Sequence, residues 1–137
     1  MRIPKHTTGE IQPWDVFGFR PYKQLHRKIS DSVVLNDEEF SLRMRNNIII
    51  LQSLCYSTVK PPRFREMFKM GWFKAGYTTT HPSKFLTPVQ YCFPTVIETC
   101  SKENCENFFF IRCSWCSNFF CFPHFFKDYH LCDNFVE

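Results

Sequence analysis

The chain has 137 residues and a mass of 16.5 kDa, the size of one domain or one domain with a small appendage. Hydrophobic residues at 44% and charged residues at 22% exclude a mostly disordered chain, and no apolar run reaches the eighteen residues that would indicate a membrane span. The net charge of +4 is uneven: residues 1–94 carry +7 and residues 95–137 carry −3, which suggests two units, the first suited to a polyanionic partner.

The opening Met1-Arg2-Ile3-Pro4-Lys5-His6 lacks the apolar segment of a secretory signal, so an intracellular protein is expected. Residues 1–15 read as an extended approach, with a turn signal at Thr7-Thr8-Gly9. A helix is expected from about Asp15 to about Ser30, with Asp15 as first-turn residue or cap and Pro21 as an interruption or kink. Asn36-Asp37-Glu38-Glu39 reads as the next helix entry, Asn36 capping and Glu39 completing a capping box. That helix should run through Leu42, Ile48, Ile49 and Leu51 to about Cys55. A third opens at Pro61-Pro62, where proline fits the first turn. Phe64, Met67, Phe68, Gly71, Trp72 and Ala75 follow at helical spacing as a core stripe, and Gly76 suits a left-handed C-cap. Pro82, Pro88 and Pro94 mark residues 78–95 as a linker holding one short apolar piece, Val89 to Phe93. The domain boundary is placed near Pro94, giving a helical part over residues 1–94 and a Cys/His-rich module over residues 95–137.

The strongest chemical signal is the spacing Cys100-x4-Cys105-x7-Cys113-x2-Cys116-x4-Cys121-x2-His124-x5-His130-x-Cys132. Two tetrahedral Zn²⁺ sites require eight N/S ligands, and gaps of two to four residues let both members of a pair reach one ion. In a cross-brace wiring, Cys100 and Cys105 join Cys121 and His124, while Cys113 and Cys116 join His130 and Cys132. In a sequential wiring the first two pairs share one ion and the last two the other. The cross-brace is favoured, because short links then hold both ions in one small core. A module this small has too little core to fold by size alone, and each structural ion would contribute about 10 kcal/mol. Phe108, Phe109, Phe110, Phe119, Phe120, Phe122, Phe125 and Phe126 are expected to pack around the two ions. Full ligand sets point to structural rather than catalytic zinc. Cys55 and Cys92 have no setting of a catalytic nucleophile.

The segment Pro4-Lys5-His6-Thr7-Thr8-Gly9-Glu10-Ile11-Gln12-Pro13-Trp14-Asp15 resembles the P-x-x-T-T-x-x-x-Q-P-[LM]-D motif of pogo/mariner-type DDE transposases, and the likeness continues through Phe19-Arg20-Pro21-Tyr22-Lys23. The stretch from Pro62 to Tyr77 is similar to the C-terminal part of such mobile-element proteins. The Cys-rich tail also resembles the end of piggyBac-type transposases. The resemblance implies the end of an RNase H-like (α/β) catalytic domain, in which three carboxylates hold two Mg²⁺ or Mn²⁺. Asp15 matches the third carboxylate; Trp14 departs from the usual Leu or Met. The first two carboxylates and the central sheet have no counterpart here, and Asp31 and Asp37 are too close to supply them. One carboxylate cannot hold two Mg²⁺, so Mg²⁺ belongs only to an intact parent enzyme. The expected fold is an α-rich RNase H-like remnant followed by a small treble-clef or cross-brace-like zinc module.

Three functions follow as expectations. The first is a transposase remnant, nuclear and catalytically incompetent alone, binding DNA phosphates through Arg20, Lys23, Arg27, Lys28, Lys60, Arg63, Arg65, Lys69 and Lys74. The second is a protein-interaction module on the acidic zinc tail. The third is a RING-like ubiquitin ligase, disfavoured because the Cys121–His124 and His130–Cys132 gaps depart from RING spacing.

Overall fold

The computed structural model describes residues 12–37, 39–130 and 132–136. The turn at Thr7-Thr8-Gly9, the motif residues Pro4 to Ile11 and Glu38 of the expected helix entry lie outside these. Among the described residues nine elements follow in order: a wide π-helical turn Trp14–Gly18, helix α1 Phe19–Asn36, helix α2 Arg45–Val59, a 3₁₀ turn Pro62–Phe64, helix α3 Arg65–Lys74, helix α4 Pro88–Cys92, strands β1 Ile111–Arg112 and β2 Phe119–Phe120, and a second π-helical turn Pro123–Lys127. The two strands pair antiparallel, Ile111 opposite Phe120 and Arg112 opposite Phe119.

The first helical stretch begins near Asp15 as expected but runs past Ser30 to Asn36. The reason is the stripe Leu25, Ile29 and Val33, spaced by four and fully buried, which keeps the helix on the core to its last turn. Pro21 does not break it. Proline cannot donate to the preceding turn, and here it follows directly on the wide turn, in the first turn of α1. Asn36 is therefore a C-terminal residue and not an N-cap: its side-chain amide donates to the Ser32 carbonyl at 2.7 Å, and Asp37 N–H donates to the Val33 carbonyl. The next helix starts nine residues later, at Arg45, behind Met44, which supplies no side-chain cap. It ends at Val59, with Leu51, Cys55 and Val59 buried on one row and α1 as the neighbour they pack on.

Trp14 lies stacked on Phe68 of α3, ring centroids 5.5 Å apart. Gly18, one turn on, leaves the room this requires, because a Cβ there would run into the indole ring. Helix α3 ends in a complete Schellman motif. Gly76 takes φ +80°, its N–H donates to Phe73, and Tyr77 N–H donates to Trp72. The accompanying apolar contact is Trp72 against Tyr77, 5.4 Å apart.

The expected linker contains a helix. Thr87 and Gln90 form a reciprocal capping box around α4, with Pro88 in the first turn. Tyr91 and Cys92 are buried, because α4 packs on α1 and β1. Contacts join the two sides of Pro94. Trp115 Nε1–H donates to the Ser57 carbonyl at 2.9 Å, and Tyr91 Oη lies 2.6 Å from Ser117 Oγ. Phe40 meets Phe126 edge-on at 5.3 Å.

Candidate metal centre and basic face

The first group of ligands is assembled by three separate pieces of backbone. Cys100 N–H donates to the Asn107 carbonyl, which closes the loop bearing Cys105. Thr99 bridges Phe108, and Ser101 N–H donates to Phe119, which leads into Cys121. The turn Pro123–Lys127 then carries His124 back towards the same point. Cys100, Cys105, Cys121 and His124 bring their ligand atoms within 4.8 Å of one another.

The second group grows from the β1–β2 hairpin. Cys113 N–H donates to Asn118, and Ser117 N–H donates to Cys113. Ser117 takes φ +66°, and this tight knuckle aims Cys113 and Cys116 the same way. His130 and Cys132 complete a second set within the same 4.8 Å limit. The structure thus groups the eight residues in the cross-brace pairing and not the sequential one.

A tetrahedral ion with metal–sulfur and metal–nitrogen bonds of about 2.3 and 2.05 Å needs S···S near ~3.8 Å and S···N near ~3.5 Å. Cys105 and Cys121 have sulfurs 3.9 Å apart. His124 Nδ1 lies 3.3 Å from Cys100 Sγ and 3.2 Å from Cys121 Sγ, and His130 Nε2 lies 3.7 Å from Cys116 Sγ. All eight Cys are free thiols. Three thiolates and one imidazole per group fit a tetrahedral divalent ion, and the donor set is consistent with zinc.

The electrostatics of the two groups differ. Burial raises the Cys100 thiol, but N–H donors from Cys121 and Lys102, with the His124 ring, outweigh it and bring it to about 6. Burial pushes Cys113 up to about 12 and raises Cys121 and Cys132. Burial, then nearby Lys102, lowers His130 against an upward pull from Asp133, a shift in favour of the neutral ring. A bound cation compensates clustered thiolates of this kind, and its binding displaces their protons.

Sequence reasoning missed the groups behind the ligands. Asp128 Oδ2 lies 3.9 Å from His124 Nε2, on the ring nitrogen opposite the sulfurs, near enough for a charge contact but beyond hydrogen-bond distance. Its signal was the four-residue spacing after His124. Asn107 Nδ2 approaches Cys121 Sγ at 4.0 Å. Not all the Phe residues gather on the sites. Phe108 is 73% exposed, whereas Phe110 packs on Phe122 at 5.2 Å. Phe120, Phe122 and Phe125 are buried.

Asp15 is exposed in the wide turn, and it belongs to neither metal-type group among the described residues. The nine basic residues are engaged in different ways. Arg20, Lys23 and Arg27 lie along one face of α1 and line a groove with Asp15, Phe19 and Gln24. Lys28 lies over Phe93 at 5.5 Å and Lys74 over Phe17 at 4.7 Å. Arg63 covers Tyr91 at 4.3 Å and donates to Ser117 Oγ. Lys60 lies over Phe135, Lys69 pairs with Glu66 at 2.6 Å, and Arg65 is exposed at the start of α3.

No helix among the described residues is long and apolar enough to cross a membrane. No curated protein and no solved structure matches the chain. Residues 72–132, from the last turns of α3 to the final cysteine, match the family model of the Tc5 transposase C-terminal domain, a span that holds all eight clustered ligands and supports reading the chain as a transposase fragment.

Proposed function

We propose that this chain is a transposase-derived, zinc-stabilised DNA-binding piece without catalytic activity of its own. The observation that carries the reading is the Tc5 transposase C-terminal match over residues 72–132, which coincides with both four-ligand groups. In this reading residues 1–94 are the helical end of an RNase H-like DDE domain of pogo/mariner type. Residues 95–137 are a module built on two structural Zn²⁺, with a tail like that of piggyBac-type transposases. Asp15 stands where the third carboxylate of a parent enzyme would be and is inactive here, since one carboxylate cannot organise two Mg²⁺. The protein acts in the nucleus.

DNA contact falls to the basic residues, with Arg20, Lys23 and Arg27 as its densest row. Lysines and arginines on phosphates release counterions, so duplex affinity falls steeply with salt. Duplex binding measured from 50 to 200 mM salt tests this. Arg20→Ala/Lys23→Ala/Arg27→Ala should lower the salt slope by about 2–3. Absent or salt-insensitive binding of the unmodified chain would contradict the reading, as would Mg²⁺-dependent DNA nicking lost in Asp15→Ala.

The net charge of −3 over residues 95–137 favours a second role for the tail, docking a protein rather than phosphate. A pull-down that depends on residues 95–137 and on metal, but not on the α1 basic row, would support it.

A further inference from the structure

Arg63, Tyr91, Arg112 and Ser117 come from four stretches of chain: the 3₁₀ turn, α4, β1 and the knuckle after Cys116. They meet where the helical part joins the tail. Tyr91 is buried, and its ring carries two guanidinium groups, Arg63 at 4.3 Å and Arg112 at 4.2 Å from the centroid. Tyr91 Oη lies 2.6 Å from Ser117 Oγ, and Arg63 donates to the same Oγ at 3.2 Å. A hydroxyl has two acceptor lone pairs and one proton. When Tyr91 donates to it as Arg63 does, the Ser117 proton is free to donate outward.

No described carboxylate neutralises the two arginines. The acid–base contacts among the described residues are Lys69–Glu66, His124–Asp128 and Lys127–Asp37, and none involves Arg63 or Arg112. Arg112 is half-buried, and its Nε is enclosed without a hydrogen-bond partner among the described residues, whereas buried donors are ordinarily bonded. Burial raises the Cys92 thiol, and both guanidiniums pull against it, so their fields reach the same point of the core. Two like charges on one ring repel, and an anion bonded to both removes the repulsion.

We infer that Arg63, Arg112 and the Ser117 hydroxyl bind a phosphate group, the guanidiniums giving charge-assisted N–H donors and Ser117 an O–H donor. The planar fork of arginine matches phosphate oxygens. The phosphate comes from a DNA backbone, a choice that rests on the DNA reading above; the site itself rests on these side chains alone. None of them belongs to the α1 basic row, so the metal-bearing half gains a phosphate contact of its own.

The full, metal-loaded chain is titrated with inorganic phosphate and, at matched ionic strength, with chloride, and the Arg112 Nε–Hε resonance is followed by NMR. Phosphate should shift it saturably and chloride should not. Arg63→Met keeps an apolar stem on Tyr91 but removes one charge, and should weaken phosphate about tenfold at that resonance. Duplex binding over the same salt range as above is the second arm. Arg63→Met should lower the salt slope by about 1, and Arg63→Met/Arg112→Met by about 2. Arg63 is exposed on its turn, so the single variant should fold; native mass and far-UV circular dichroism report metal content and fold for both. No saturable phosphate shift, or an equal shift with chloride, would overturn the site. A phosphate shift with an unchanged salt slope in Arg63→Met would assign free phosphate and overturn the DNA backbone as its source. Failure of the unmodified chain to bind duplex would overturn the DNA reading, while the phosphate titration still decides the site.

Discussion

His124 and His130 use different ring nitrogens, Nδ1 and Nε2, towards their sulfurs. The spacing of the eight ligands was legible in the sequence; this choice was not, because it is set by where the backbone of the 123–127 turn and of the Tyr129 bend (φ +50°) delivers each ring. Two residues outside the sites carry predictions of their own. Gly-to-Ala changes within helices ordinarily stabilise, but a Cβ at Gly18 would run into the Trp14 ring. Gly18→Ala is expected to cost about 1–3 kcal/mol, read as a lower denaturant midpoint. Cys55 is buried, and burial pushes its thiol from 9 to about 12; Cys92 is raised in the same direction. A thiol kept protonated by the fold contributes stability that is full below its unfolded pKa and is lost as pH rises towards the folded value. Stability of the metal-loaded chain is therefore expected to decline between pH 9 and about 12, and Cys55→Ala should flatten that decline in denaturant titrations at a series of pH values.

At the scale of elements, periodicity located α3 and its glycine C-cap, because a complete apolar stripe and the left-handed turn residue coincide there. It misplaced the end of α1, since Asn36 followed by acidic residues has the composition of a helix start, while burial of Val33 holds the turn helical. It missed α4, although Thr87-Pro88-Val89-Gln90 carries a capping box, because three prolines nearby made the whole stretch read as linker. Thr87→Ala removes that box and should cost about 1 kcal/mol. Trp115 is the bolt between the second ligand group and α2. Trp115→Phe removes the indole donor to Ser57 and should cost about 1–2 kcal/mol, seen as faster amide exchange in the last turn of α2.

For the whole molecule, the two metal-type groups sit on a core that continues through Tyr91, Cys92 and Ile111 into α1 and α2. Chelation should therefore unfold residues 95–137 and loosen the helical part that leans on them. The cross-brace pairing was readable as a preference from the short links between ligand pairs, and the near-tetrahedral separations give it geometric support. Native mass spectrometry of paired Cys→Ser variants tests it most directly. The unmodified chain should carry two zinc ions. Cys105→Ser with Cys121→Ser strikes one group twice and should leave one ion, whereas Cys105→Ser with Cys113→Ser strikes both groups and should leave none. The reverse pattern, or an unmodified chain without metal, would contradict the account.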